Sequence, residues 1–179
     1  RSRAHQLSRE EAAAESARLR RDLERWRVEP RLASLRAQRA RLPAHAARAG
    51  LLALLDSNDA LVVSGATGCG KSTQLPQFVL ERAAEAGRAG DVNIIVTQPR
   101  RIAALGLAAR VAQERGEAVG DVVGYSVRLD SQVSRRTRLL FCTTGVLLRR
   151  MLSDPLLEGV THVVVDEVHE RGGESDLLL

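Results

Sequence analysis

The chain has 179 residues, of which 44% are hydrophobic and only 2% aromatic, so its core has to be built mainly from Leu, Val and Ala. No apolar run approaches the ~18–20 residues of a membrane-spanning helix. The two cysteines, Cys69 and Cys142, match no metal-ligand spacing, which favours free thiols in a nuclear or cytoplasmic protein. Residues 1–50 are strongly basic. They could contact nucleic-acid phosphates, or they could form a solvated helical arm.

The part of the chain before residue 56 is predicted to be mainly helical. Apolar residues recur at helical spacing over about 8–27, 31–41 and 44–55. Ser8 and Glu11 form a capping box at the start of the first helix, and Glu29-Pro30 ends it.

Short apolar stretches then alternate with helical ones, which indicates βαβ units and a largely parallel sheet with helices on both faces. The fold class is therefore α/β. Functional loops are expected at the carboxyl ends of the strands. The predicted strands are 61–63, 93–97, 122–127, 139–142 and 163–165, and the predicted helices are about 71–85, 101–115 and 144–152.

Residues 65–72, GATGCGKS, match the phosphate-loop pattern G-x-x-x-x-G-K-[ST] between a predicted strand and a predicted helix. The glycines let backbone N–H groups turn toward phosphate oxygens, and the helix N-terminus adds its positive dipole end. Lys71 is the only lysine in the chain, which suits a site that needs a compact ammonium for the β- and γ-phosphates of ATP. The Ser72 hydroxyl is expected to ligate Mg²⁺. The expected nucleotide contacts are Gly65, Ala66, Thr67, Gly68, Cys69, Gly70, Lys71, Ser72 and Thr73.

A second acidic motif lies where the apolar stretch 163–165 ends in Asp166 and Glu167. We expect Asp166 to hold Mg²⁺ through water, with Glu167 as a further carboxylate at the metal. Glu167 is also expected to polarise the attacking water as general base.

Residues 166–171, DEVHER, resemble the D-E-x-H-E-R signature of the DEAH-box (RNA helicase A-like) group of superfamily 2 helicases. Arg41-Leu42-Pro43 is similar to a common segment ahead of the first domain in that group. Within the phosphate loop, Ala66 stands where many relatives have an acidic residue, and Ser72 stands where many have Thr. The resemblance covers about 41–179. Further segments resemble motifs of that group in order and spacing: 65–74 (motif I), 97–104 (motif Ia), 123–128 (VGYxxR) and 143–149 (motif Ib).

This resemblance implies a P-loop RecA-like domain over 43–179, incomplete at its C-terminus, after a basic helical extension over 1–42. It implies an ATP-dependent RNA helicase that couples hydrolysis of ATP, with Mg²⁺, to RNA translocation or unwinding. The implied partners are single-stranded or structured RNA and an activator protein, with no membrane. Catalytic roles fall to Lys71, Asp166, Glu167 and His169, base stacking to Arg110, and RNA contacts to Arg101, Arg128, Thr144 and Gly145.

In the family, a second RecA-like domain supplies arginine fingers, so the chain by itself is expected to bind nucleotide and RNA without turnover. Two alternatives stay open. One is a P-loop NTPase that acts on DNA or protein, against which motifs Ia and Ib argue. The other is an interaction module that binds nucleotide or RNA without hydrolysis.

Overall fold

A five-stranded sheet in the order β3-β2-β4-β1-β5 forms the centre of the computed structural model, which describes residues 7–168. The strands are β1 (Ile94–Gln98), β2 (Val123–Val127), β3 (Asp130–Gln132), β4 (Leu139–Thr143) and β5 (His162–Val165). The helices are α1 (Arg9–Val28), α2 (Ala33–Ala40), α3 (Pro43–Ala46), α4 (Arg48–Ser57), α5 (Lys71–Glu85), α6 (Arg101–Arg115) and α7 (Thr144–Ser153). Pro30–Leu32 and Ala89–Asp91 form single 3₁₀ turns.

The sheet has helices on both faces, which confirms the predicted α/β class. Ile94 and Val96 of β1 point into the main core, whereas Ile95 points into a smaller cluster with Cys142 and Leu147. Alternation of this kind follows from the two-residue period of a strand. Burial raises the pKa of the Cys142 thiol to about 12, so this side chain packs as a neutral thiol.

Strand β3 was not predicted, because all three of its residues are polar and exposed. It pairs antiparallel with β2 through a tight turn at Arg128 and Leu129, and the other pairings are parallel. Leu129 has a left-handed φ of 67° and is 95% exposed.

The predicted strand at 61–63 is wrong. These residues form neither helix nor strand, and Val62 is 95% exposed. An apolar run makes a strand only where a neighbouring backbone can complete its hydrogen bonds, and 61–63 pairs with no described strand. The sheet ends instead at β5, whose outer edge is unpaired within the described residues and where Val163 is 41% exposed.

Helix α1 is docked on the α/β unit, so the interpretation of a solvated arm is wrong. Leu19 and Leu23 lie in the main core. Ser16 Oγ accepts a 2.8 Å hydrogen bond from the Gly90 N–H. The backbone of α1 passes so close to Gly90 that a Cβ there would lie 2.0 Å from the Ala12 carbonyl oxygen. The division at residue 42 stays a prediction about domain organisation, but the packing forms one core across it.

Within residues 7–168, no helix combines the length and the apolarity needed to cross a membrane.

Candidate nucleotide-binding site

The phosphate loop leads into α5 through two glycines in left-handed conformations. Gly68 has φ 79°, and Gly70, the residue that precedes the helix, has φ 98°. Other residues adopt such angles at a cost. A Cβ at Gly70 would also lie 3.0 Å from Leu42 Cδ1, so the Leu42-Pro43 lead-in packs directly against the loop. The Ala44 N–H donates to the Cys69 carbonyl at 3.0 Å and anchors the loop to α3.

Lys71 begins α5, and its ammonium lies beside the loop. Nζ donates to the carbonyls of Gly65 (2.6 Å) and Ala66 (3.1 Å) and lies 3.7 Å from Cys69 Sγ. Thr73 Oγ1 donates to the Gly70 carbonyl at 3.3 Å. These contacts place the one lysine of the chain at the helix N-terminus, where the dipole also favours an anion.

Asp166 follows β5 and is held against β1. Thr97 of β1 is in register with Val165, so the next residues along the two strands are also neighbours. Gln98 Nε2 donates to Asp166 Oδ2 at 2.6 Å, and the Glu167 N–H donates to Oδ1 at 3.0 Å. These two hydrogen bonds fix the orientation of the Asp166 carboxylate.

Glu167 has a left-handed φ of 52°. Such a conformation is strained for a residue with a Cβ and is often found at functional sites. The expected general base therefore occupies a position whose backbone the fold constrains, directly beside the expected metal ligand.

A magnesium ion suits the donors that the sequence indicated. Ser72, Asp166 and Glu167 offer hard oxygen ligands, which Mg²⁺ prefers. Among residues 7–168, no three or more His, Cys, Asp or Glu side chains cluster as a metal site. Mg²⁺ that binds together with nucleotide phosphates needs only one or two protein carboxylates, so the donor set fits the ion.

Arg110 lies on α6, with its side chain 41% exposed. Nε donates to Glu114 Oε1 at 2.8 Å, and Nη2 donates to Gln38 Oε1 at 3.5 Å. A paired guanidinium still offers its planar face for stacking. Its contact with a nucleotide base stays a prediction. His169 lies outside the described residues.

The residues expected to contact RNA all follow the carboxyl ends of neighbouring parallel strands. Gln98 at the end of β1 is in register with Thr143 at the end of β4, and Cys142 is in register with Ser126 of β2. One edge of the sheet therefore carries Arg101, Arg128, Thr144 and Gly145.

Tyr125 of β2 braces the β2–β3 turn, because its hydroxyl donates to Asp130 Oδ1 and Oδ2 at 3.2 and 3.1 Å. Burial and the hydrogen bond to Asp130 raise the pKa of the Tyr125 hydroxyl, whereas the nearby positive charge of Arg101 opposes this rise.

Sequence reasoning missed the buried polar residues around the site. Gln74, Gln98 and Glu114 are at most 2% exposed, and Arg39 is 3% exposed. In the sequence, each reads as an ordinary polar residue of a helix or loop. The only signal was the position of Gln74 and Gln98 within motif-like segments.

The comparisons with known proteins agree with this geometry. Residues 46–176 match the family model described as DEAD/DEAH box helicase. The chain is 56% identical over 146 residues to the DExH-box ATP-dependent RNA helicase DExH1 of Arabidopsis thaliana, and 59% identical over 141 residues to DExH3 of the same plant. It is 46% identical over 158 residues to the ATP-dependent RNA helicase DHX30 of Rattus norvegicus.

These alignments cover 82%, 79% and 88% of the chain, but only 15%, 12% and 13% of the respective relatives. The chain thus spans a small part of the length of the relatives that it matches. With its phosphate loop, its paired acids after β5 and the match over most of its length, the chain belongs to the DEAD/DEAH box helicase family.

Proposed function

We propose that the chain is the ATP-binding part of an ATP-dependent RNA helicase, which couples ATP hydrolysis to RNA translocation or unwinding. The observation that carries this proposal is the hydrogen bond from Gln98 to Asp166. Gln98 lies three residues before Arg101, on the expected RNA side, whereas Asp166 belongs to the expected nucleotide side. The relatives that the chain matches include proteins named as ATP-dependent RNA helicases.

On the nucleotide side, the N–H groups of residues 65–73 bind the phosphates. Lys71 exchanges its hydrogen bonds with the Gly65 and Ala66 carbonyls for bonds to the terminal phosphates. Mg²⁺, held by Ser72 and Asp166 beside Glu167, would neutralise the charge that builds on the γ-phosphoryl oxygens. Glu167 accepts a proton from the attacking water.

On the RNA side, the cationic and polar groups at the strand ends contact phosphate and sugar. Arg101 and Arg128 supply charge, while Thr144 and Gly145 lie at the start of α7, where backbone N–H groups point outward. Contacts of this kind position a strand without reading its sequence.

The test measures both ligands on the same 179-residue chain, using fluorescent ADP with Mg²⁺ and fluorescein-labelled poly-U RNA. Lys71→Ala should weaken nucleotide binding strongly and leave RNA binding intact, whereas Arg101→Ala should weaken RNA binding and leave nucleotide binding intact. Loss of both ligands in either variant, with the fold retained, would contradict two separate surfaces on one domain.

Phosphate release distinguishes the enzyme from a module that binds without hydrolysis. The assay uses a longer protein that includes the chain. Phosphate release that is stimulated by poly-U RNA, and that is abolished by Glu167→Gln, supports the helicase proposal. Tight binding of both ligands without release favours the binding module.

A further inference from the structure

A buried arginine outside the family-matched region contacts the helix that carries Lys71. Arg39 of α2 is 3% exposed, and the match begins at residue 46. Its Nε donates to Gln74 Oε1 and its Nη2 donates to Glu81 Oε1, each at 2.7 Å. The guanidinium carbon lies 4.9 Å from the centre of the Trp26 ring. A buried cation needs such partners, so the arginine is locked in one geometry.

The same cluster joins α5 to α6 through Glu114, which is 1% exposed. Gln74 and Gln77 donate to Glu114 Oε2 at 2.9 and 2.8 Å, and Arg110 donates to Oε1 at 2.8 Å. Trp26 Nε1 donates to the Glu114 main-chain carbonyl at 2.7 Å. Helices α2, α5 and α6 are therefore connected by hydrogen bonds that involve charged groups, and such bonds are stronger than those between neutral groups.

Gln74 brings this cluster to the phosphate loop. It lies in the first turn of α5, and its N–H donates to the Gly70 carbonyl at 2.8 Å. Its Nε2 also donates to Thr73 Oγ1 at 2.9 Å, and Thr73 in turn donates to Gly70. A displacement of Gln74 would therefore reorient the loop N–H groups and Lys71.

Docking of α1 does not rest on the contact between Arg39 and Trp26 alone. Leu19 and Leu23 lie in the core, Ser16 bonds to Gly90, and Arg136 pairs with Glu15 at 3.3 Å. Buried ion clusters also add little net stability compared with apolar packing. What Arg39 adds is a defined position for Gln74.

We propose that Arg39 is a positioning residue for nucleotide binding, which holds the first turn of α5 through Gln74. This inference rests on the proposed nucleotide site. It gives the residues before 46, where the match to the family model begins, a role in nucleotide binding.

The experiment titrates fluorescent ADP with Mg²⁺ against the 179-residue chain, well below the melting temperature of each variant. Arg39→Met and Gln74→Leu should each weaken binding about tenfold, as is typical when a supporting residue behind a ligand-binding group is lost. The double variant should bind about as weakly as the weaker single one, because both changes break one path.

Glu81→Gln is the matched control. It weakens the other bond of Arg39, further along α5, so it should lower the melting temperature and leave the affinity unchanged. Arg39→Lys keeps the charge but lacks the planar guanidinium, so the variant should stay folded and bind ADP more weakly than the wild type. If Arg39→Met does not fold, Arg39→Lys and Gln74→Leu supply the same comparison.

Wild-type affinity in folded Arg39→Met or Arg39→Lys would overturn the proposal. An affinity that falls in parallel with melting temperature in all variants, Glu81→Gln included, would also overturn it. Lys71→Ala separates the two proposals: if it binds ADP like the wild type, the nucleotide site itself is wrong.

Discussion

The side-chain amide of Gln98 donates a 2.6 Å hydrogen bond to Asp166 Oδ2, across the pair of strands β1 and β5. Gln98 is 2% exposed, so the bond is shielded from water on the side of the amide. The two residues belong to segments that bind different ligands in the proposed function. A movement of the loop after β1 would therefore act directly on the expected metal ligand.

Gln98→Leu should raise the Mg²⁺ concentration needed for half-maximal binding of fluorescent ADP about tenfold, since groups that orient a metal ligand typically contribute 10–100-fold. The leucine fills the space but cannot hold the carboxylate. Gln113→Leu, on the exposed face of α6, is the control. An unchanged Mg²⁺ dependence in folded Gln98→Leu would show that Asp166 is oriented by other means.

Lys71→Ala should weaken ADP binding by roughly 30-fold or more, because truncating one partner of a desolvated charge pair costs about 2–5 kcal/mol. Lys71→Arg should also weaken binding, since a longer planar group misplaces the charge. Fluorescence titration measures both, with Arg41→Ala as an exposed control. Binding by Lys71→Arg at the wild-type level would show that any cation serves there.

Gly90→Ala should destabilise the chain by about 3 kcal/mol, at the upper end of overpacking costs. Its Cβ would lie 2.0 Å from the Ala12 carbonyl oxygen of α1, a backbone atom that cannot move by itself. Gly106→Ala is the matched control, since its Cβ meets nothing within 4 Å. That helical position should gain about 0.5–1 kcal/mol. Urea denaturation compares the two, and an equally stable Gly90→Ala would mean that α1 does not dock as described.

RNA binding should be weak and should fall steeply with salt. Arg101→Ala should reduce the slope of log affinity against log salt by about 1, as expected for one lost phosphate contact. Deletion of residues 1–40 is unsuitable for this purpose, because it removes Leu19 and Leu23 from the core. Fluorescence anisotropy with labelled poly-U measures the slope. An affinity that stays constant from low to physiological salt would contradict backbone contacts.

Glu117→Gln should raise the melting temperature at neutral pH. Burial raises the pKa of the Glu117 carboxyl above its ordinary value of 4.5, so the folded state binds a proton more readily than the unfolded state. Stability from this group is therefore present below pH 4.5 and is lost as pH rises through the raised pKa. Glutamine keeps the acceptor for the Arg115 Nε and the Val123 N–H.

The advantage of Glu117→Gln should thus disappear below pH 4.5, where the carboxyl is protonated in both states. Thermal denaturation across pH measures the difference from the wild type, and Glu158→Gln makes the same charge change at an exposed position. A difference that does not vary with pH would show that the effect is not ionisation.

Elements that depend on interactions between neighbouring residues were predictable from the sequence. Helices α5 and α6 have the predicted bounds, because a glycine before Lys71 and regular apolar spacing are local signals. The capping box of Ser8 and Glu11 formed for the same reason. Motif spacing also indicated the helicase family, since consecutive residues at strand ends carry the chemistry.

Contacts between residues far apart in the chain depend on packing and could not be predicted from local patterns. Residues 61–63 have apolar side chains but no described strand as a partner, and β3 pairs through its backbone despite a polar sequence. Arg39 and Gln98 became buried because partners 35 and 68 residues away satisfy their hydrogen bonds. A polar side chain carries no mark of burial in the sequence, because the cost of desolvating it is offset only by contacts that packing creates.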